Sequence, residues 1–193
     1  ARLDGALRGA TWAPDNTMIV ATNSLATGLQ RVSGAGGTPD ILTRPDRARG
    51  EADHLWPEML PGGHAVLFTI TAQTGGLDAA QIAVRDLRTG TQQILVRGGS
   101  DAHYVASGHL VYTAAGTLRA MPFDLNRLET RGTVVPVVPR VLSTLDGSGE
   151  FAIAADGTLL YVDAPAGFSG TGRALVWVDR MGKEEPIDAP LHT

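Results

Sequence analysis

Four stretches of the chain share one hydrophobic rhythm. Residues 11–22 (TWAPDNTMIVAT), 54–70 (HLWPEMLPGGHAVLFTI), 103–113 (HYVASGHLVYT) and 151–163 (FAIAADGTLLYVD) each set an aromatic residue ahead of a short turn and an apolar run. The turns are Pro14-Asp15-Asn16, Pro61-Gly62-Gly63, Ser107-Gly108 and Asp156-Gly157, built from residue types that favour tight reversals. The aromatic residues Trp12, Trp56, Tyr104 and Phe151 recur at intervals of 44, 48 and 47 residues. Behind each copy comes a second pair of strand-like segments, at 28–43, 81–96, 117–138 and 174–188. In each, a short apolar strand runs into a polar or Gly-rich turn and then into another strand. Arg88-Thr89-Gly90 and Arg180-Met181-Gly182 fill that turn in two copies.

One period therefore holds four short strands joined by hairpins, at about 8–12 residues per strand. Four antiparallel strands repeated in this way are the sequence sign of a β-propeller blade. The pattern predicts an all-β fold of about four four-stranded antiparallel blades, in one domain over 1–193. The repeats fall at roughly 11–43, 54–96, 103–138 and 151–188. A blade cannot cover both of its faces alone, so it stacks on its neighbours. That explains why HAVLFTI (64–70) is continuously apolar instead of alternating. Trp56 is expected as a wedge between blades, with a ligand-stacking ring as the lesser alternative. Helix signals are nearly absent. The best window, DRARGEADHL at 46–55, is short, interrupted by Gly50 and closed by Pro57, and predicts a loop with one helical turn at most.

Composition narrows the picture. Of 193 residues, 43% are hydrophobic and 19% charged, as in ordinary globular proteins. A net charge of −4 and a pI near 5.7 argue against a general nucleic-acid binder. The basic cluster RPDRAR (44–49) is broken by proline and aspartate and reads as a solvated loop. The absence of cysteine excludes disulfides, thiolate zinc sites and cysteine nucleophiles, without fixing the compartment. No apolar run approaches the ~20 residues of a membrane helix, and no signal-peptide pattern opens the chain. Membrane insertion by this segment is not expected. The chain opens on Ala1, which suggests processing or excision from something longer. The 24 glycines and 11 prolines are spread along the chain, which marks turns and not a linker.

Catalytic motifs fail on inspection. GFSGT (167–171) misses the serine-hydrolase elbow because Thr171 stands where the last glycine belongs. GSGEFA (147–152) matches a loose dinucleotide fingerprint but precedes a strand instead of opening a helix. His103 and His109 bracket a turn near Asp101, yet lack helical spacing and a glutamate partner, so hydrogen-bonded structural histidines are expected. DGSGE (146–150) starts like a calcium loop, but position twelve of that frame is Gly157. The expectation is a non-catalytic protein with no metal and no cofactor. In a propeller, the loops joining one blade's outer strand to the next blade's inner strand gather at one mouth of the channel. Here these loops are expected at 44–55, 97–103 and 139–150. They carry Glu51, Asp53, His54, Asp101, His103, Asp146 and Glu150, an acidic and histidine-bearing rim. A ligand is expected at this rim and not at the opposite face, the alternative being a rim that is merely solvated.

Several stretches carry a resemblance: WAPDNTMIVAT, GLQRVSGAGGTPDILTRPD, GEADHLWPEMLPGGHAVLFT, the run from VRDLRTGTQQILVRGG to PFDLNRLE, and LVWVDRMGKEEP. In this order they resemble the TolB-like (WD-repeat-like) β-propeller family. They are most like the propeller halves found C-terminal to a membrane span in bacterial serine/threonine protein kinases. The resemblance covers nearly the whole chain. It implies a non-catalytic sensing or protein-binding platform, on the extracytoplasmic side. The kinase half itself is missing: there is no Gly-rich nucleotide loop, His-Arg-Asp loop or Asp-Phe-Gly triplet. Similar propellers gate access beside the catalytic domain of prolyl-oligopeptidase-type serine peptidases, which is the alternative. Relatives of this kind usually have six or more blades. Four blades are therefore expected to form an open arc with apolar end faces. A homodimer, or continuation into a longer propeller chain, would cover them.

Overall fold

The computed structural model describes residues 1–164 and 175–187. Residues 165–174 of the expected fourth repeat, which include GFSGT and the first position of the 174–188 segment, and its last position, 188, lie outside the described residues. The first blade is β1 (Leu7–Trp12), β2 (Thr17–Thr22), β3 (Gln30–Ser33) and β4 (Asp40–Ile41). The second is β5 (Glu51–Met59), β6 (Ala65–Ala72), β7 (Gln81–Asp86) and β8 (Gln92–Arg97). The third is β9 (Ser100–Val105), β10 (His109–Ala114) and β11 (Thr117–Asp124), with β12 (Glu129–Thr130) and β13 (Val135–Val138) both paired to β11. The fourth is β14 (Phe151–Ile153), β15 (Leu159–Val162), β16 (Leu175–Val178) and β17 (Glu184–Pro186). Every pairing is antiparallel between sequential strands, apart from the extra β11–β13 pair. This is the four-bladed propeller arrangement that the repeat predicts. The outer strand of the third blade is split in two where Gly132, at φ 66°, turns the chain out of the sheet.

Alternation within one strand builds the stack. In β6, Val66, Phe68 and Ile70 point into a cluster with Ile19, Ala21 and Leu29 of the first blade. Ala65 and Leu67 point the other way, towards Leu110, Tyr112 and Phe123 of the third. Both faces of β6 are covered, which is why its sequence shows no polar alternation. β10 repeats the arrangement, with Leu110 and Tyr112 facing the second blade and Val111 facing Tyr161 and Phe151 of the fourth. Three core clusters thus join blades one to two, two to three and three to four. Among the described residues, no such cluster joins the fourth blade to the first.

The outward faces at the two ends carry large apolar side chains. Trp12, in the cross-strand row with Met18 and Val32, is 58% exposed. Trp177, in the row with Leu160 and Glu185, is 52% exposed. The turn bonds Asn16 N–H to Ala13 and Gly63 N–H to Leu60 set Trp12 at the place of Met59, so the half-buried Trp56 has Gly9 and not Trp12 as its counterpart in the first blade.

Each of the first three inner strands contains a register shift with a left-handed residue: Gly9 (φ 108°) in β1, Trp56 (φ 52°) in β5 and Asp101 (φ 50°) in β9. Such bulges bend the strand and re-aim a side chain. In β5 the bulge also accommodates Pro57, which has no N–H to give to a ladder. Trp56 packs on Gly9, where an added Cβ would lie 3.1 Å from the Trp56 Cα. Its indole N–H donates to the Asp146 carbonyl at 2.9 Å, in the loop leading to the fourth blade.

The loop expected at 44–55 ends early. A 3-10 turn spans Arg47–Arg49, as the weak helix signal suggested, and β5 begins at Glu51. Glu51, Asp53 and His54 are strand residues paired with β6, and the polarity of EADH disguised the strand. Likewise β9 begins at Ser100, so Asp101 and His103 are strand residues too.

Candidate functional site

The seven expected rim residues fall into three separate arrangements. His54 is 1% exposed and lies 5.0 Å from the Phe68 ring, centroid to centroid. Its Nδ1 lies 2.8 Å from Thr43 Oγ1 and its Nε2 3.0 Å from Glu51 Oε2. Burial pushes the His54 pKa down, and the hydrogen bond to Glu51 only partly opposes this. A neutral ring fits the network, with Nε2–H donating to Glu51 and the Thr43 hydroxyl donating to Nδ1. Thr43 Oγ1 in turn accepts the Leu29 N–H at 2.8 Å. His54 and Glu51 thus pin the first blade to the second and present no histidine to solvent. Asp53 is also buried and accepts the His54 N–H at 2.8 Å.

Asp146 does stand in the loop ahead of the fourth blade. Its carboxylate pairs with Arg8 Nε of β1 at 2.9 Å, and Thr144 donates its hydroxyl to the same carboxylate. Glu150 follows in that loop, its main chain bonded to Leu142 and Val162.

The third arrangement is the densest. Asp101 Oδ2 accepts the Gly149 N–H at 2.7 Å, and the Asp101 N–H donates to Thr69 Oγ1 at 2.9 Å. One aspartate thereby ties the second, third and fourth blades. His103 lies between two carboxylates, with Nδ1 on Glu58 and Nε2 3.5 Å from Asp101 Oδ1. Its ring meets Phe151 edge-on at 5.0 Å. Burial alone would lower the His103 pKa, but hydrogen bonds to Asp101 and Glu58 outweigh it and raise the value to about 10. The imidazolium has both nitrogens engaged and none left to take a proton. Glu58 also accepts the Tyr104 N–H at 2.6 Å. Sequence reading missed Glu58, whose only signal is its place beside a proline inside a strand. Among the described residues, no group of three His, Asp or Glu side chains is disposed to hold a metal ion.

A cleft opens elsewhere, between the third and fourth blades on the face opposite this mouth. It encloses about 550 Å³. Val105, Val111, Leu118, Ile153 and Leu159 form its walls, and Ser107, Asp156 and Arg180 stand at its polar edge. The hairpin turn at its edge carries smaller side chains than the turn one blade earlier. The turn bonds Gly63 N–H to Leu60 and Gly108 N–H to Val105 set the two hairpins in register, so Val105 and Ala106 occupy the places of Leu60 and Pro61. Leu60 is buried in the contact between blades two and three. The corresponding place between blades two and three keeps a smaller recess, about 280 Å³, lined by Leu60 and Pro61 themselves.

No family model and no curated protein matches the chain. Solved structures do. TolB from Acinetobacter baumannii aligns with a TM-score of 0.65 at 19% identity, covering 94% of this chain and 43% of that one. Regucalcin, a calcium-binding protein from Agrobacterium tumefaciens, gives 0.66 at 16%, covering 96% and 60%. A puromycin-hydrolysing peptidase from Mycobacterium tuberculosis gives 0.59 at 13%, covering 97% and 40%. The chain thus spans 40–60% of these three structures. At these identities the likeness is one of fold, the β-propeller.

Proposed function

We propose that this chain is a non-catalytic β-propeller module that binds a ligand or a partner protein in a sensory or scaffolding role. The observation that carries the reading is the cleft between the third and fourth blades. Concave sites of roughly 300–1,000 Å³, with apolar walls and a few polar groups, are the usual geometry for small ligands. The engaged ring of His103 supports the non-catalytic half of the reading, since a charged imidazole held by two carboxylates is no general base. A substrate-gating role beside a serine-hydrolase domain is the alternative, and no described residue favours it.

A thermal-shift screen tests the proposal, because a ligand that binds only the folded state raises the melting temperature. Ala155→Trp, at the edge of the cleft, should remove the shift without lowering the melting temperature of the free protein. A screen with no hits, or hits whose shift the Ala155→Trp variant keeps in full, would sink it. Association belongs to the same proposal: the end faces bearing Trp12 and Trp177 are covered by a second copy of the chain or by further blades.

A further inference from the structure

Three of the blades offer an internal comparison at the turn after the third strand. In the second blade, Arg88 folds back on its own turn, with Nη2 3.0 Å and Nε 3.4 Å from the Asp86 carboxylate. In the third, Arg131 pairs with Asp124. The fourth blade departs from this pattern. Its turn is one residue shorter, closing with Gly182 N–H on Asp179, where the second blade closes with Gly90 N–H on Asp86. The Asp179 carboxylate accepts the Met181 and Lys183 N–H groups at 2.8 and 3.0 Å. Arg180 is left to cross to the neighbouring hairpin, where Nη2 donates to the Asp156 carbonyl at 2.6 Å. Among the described residues, no carboxylate lies within ion-pair distance of Arg180. A guanidinium has five N–H donors, and one of them is used here.

That guanidinium stands at the edge of the apolar cleft. We infer that the cleft takes an amphipathic carboxylate, with its apolar body between the blades and its anionic head on Arg180, an inference that rests on the binding role proposed above. Asp156 sets the strength of this preference. Its carboxylate accepts the Thr158 N–H at 2.9 Å and lies within the field of Arg180, so it partly offsets the cation that a ligand head would meet. The two residues should therefore act with opposite sign, which a merely greasy cleft would not produce.

Isothermal titration of the chain with dodecanoate, dodecanol and dodecylammonium, each below its micelle concentration, tests the inference. Dodecanoate should bind about ten-fold more tightly than dodecanol, and dodecylammonium should bind most weakly. Arg180→Gln should erase the advantage of dodecanoate over dodecanol, and Arg180→Lys should keep part of it. Asp156→Asn, which retains an acceptor for Thr158, should widen it. Ala155→Trp should abolish all binding. Circular dichroism of each variant confirms that it is folded. Equal affinity for dodecanoate and dodecanol, or a ratio unmoved by Arg180→Gln and Arg180→Lys, overturns the inference and leaves the binding role standing. Failure of all three amphiphiles to bind also overturns it, and the wider screen then decides the role separately.

Discussion

Glu58 of the second blade holds His103 of the third, and it does so from just beyond a β-bulge. Had β5 run on without its irregularity at Trp56, the side chains after it would point to the other face of the sheet. The bulge thus aims the carboxylate across the junction between blades, where Asp101 completes the clamp and Phe151 lies against the ring.

The clamp sets a pH dependence. Glu58, Asp101 and the Phe151 ring face His103, and the carboxylates hold its pKa near 10, above the ordinary 6.5. A folded-state pKa above the unfolded one gives stability that is fully present below about pH 6.5 and is lost as pH rises towards 10. Glu58→Gln removes one charge partner while its amide oxygen can still accept from Tyr104. It should cost about 1–2 kcal/mol at pH 6. Melting curves between pH 6 and 10 should be flatter for this variant than for the unaltered chain.

Asp53 acts with the opposite sign. Burial raises its pKa from 3.8 to about 6, and the His54 N–H, Arg47 and Arg8 only partly offset this. The folded state therefore prefers the protonated form, and this contribution weakens stability as pH rises from about 4 through 6. Asp53→Asn keeps an acceptor for the His54 N–H and removes the buried charge. It should stabilise the protein at pH 7 by on the order of 2 kcal/mol, with the gain vanishing below pH 4. Urea titrations at both pH values measure the difference.

The architecture was readable because its signals are local. The apolar run of β6 and the Gly-bearing turns at Gly62, Gly108 and Gly157 each announce their structure within a few residues. The placement of the rim residues was not legible, because burial of a polar residue is decided at a distance. His54 has the same composition signal as an exposed ligand, yet Thr43 and Phe68 enclose it. Nothing near Glu58 in the sequence marks its partner, which lies on the next blade. Trp12 and Trp56 look alike in the repeat but hold different places, Trp12 next to its turn like Met59 and Trp56 at the bulge like Gly9. The cleft is lined by Val105 and Ala106 where the smaller recess one blade earlier has Leu60 and Pro61, a contrast that becomes visible once hydrogen bonds align the hairpins.

Gly149 marks a close approach between the third and fourth blades. A Cβ there would lie 2.6 Å from Thr113 Cγ2 and 2.7 Å from two atoms of the Phe151 ring. Thr113 is itself held by Ser100, so it cannot swing away freely. Gly149→Ala should destabilise the chain by about 1–3 kcal/mol through overpacking, and should weaken the Gly149–Asp101 bond that ties these blades. The urea midpoint should fall, with the slope of the transition unchanged.

The end faces give a prediction about assembly. Trp12 and Trp177 point away from the stack, and no core cluster among the described residues covers either face. Apolar surface of this kind is costly to leave in water and favours association. Two arcs related by a two-fold axis would bring the first blade of each against the fourth blade of the other, leaving no free end. Sedimentation of the chain should therefore show reversible association that shifts with concentration. Trp12→Lys combined with Trp177→Lys should move it towards monomer, because each substituted face would carry a charge that must lose its water on pairing. Both positions are more than half exposed, so the double variant should unfold within about 1 kcal/mol of the unaltered chain. A purely monomeric unaltered chain that binds no hydrophobic dye would show that these faces are covered from within, and the two-arc arrangement would fall.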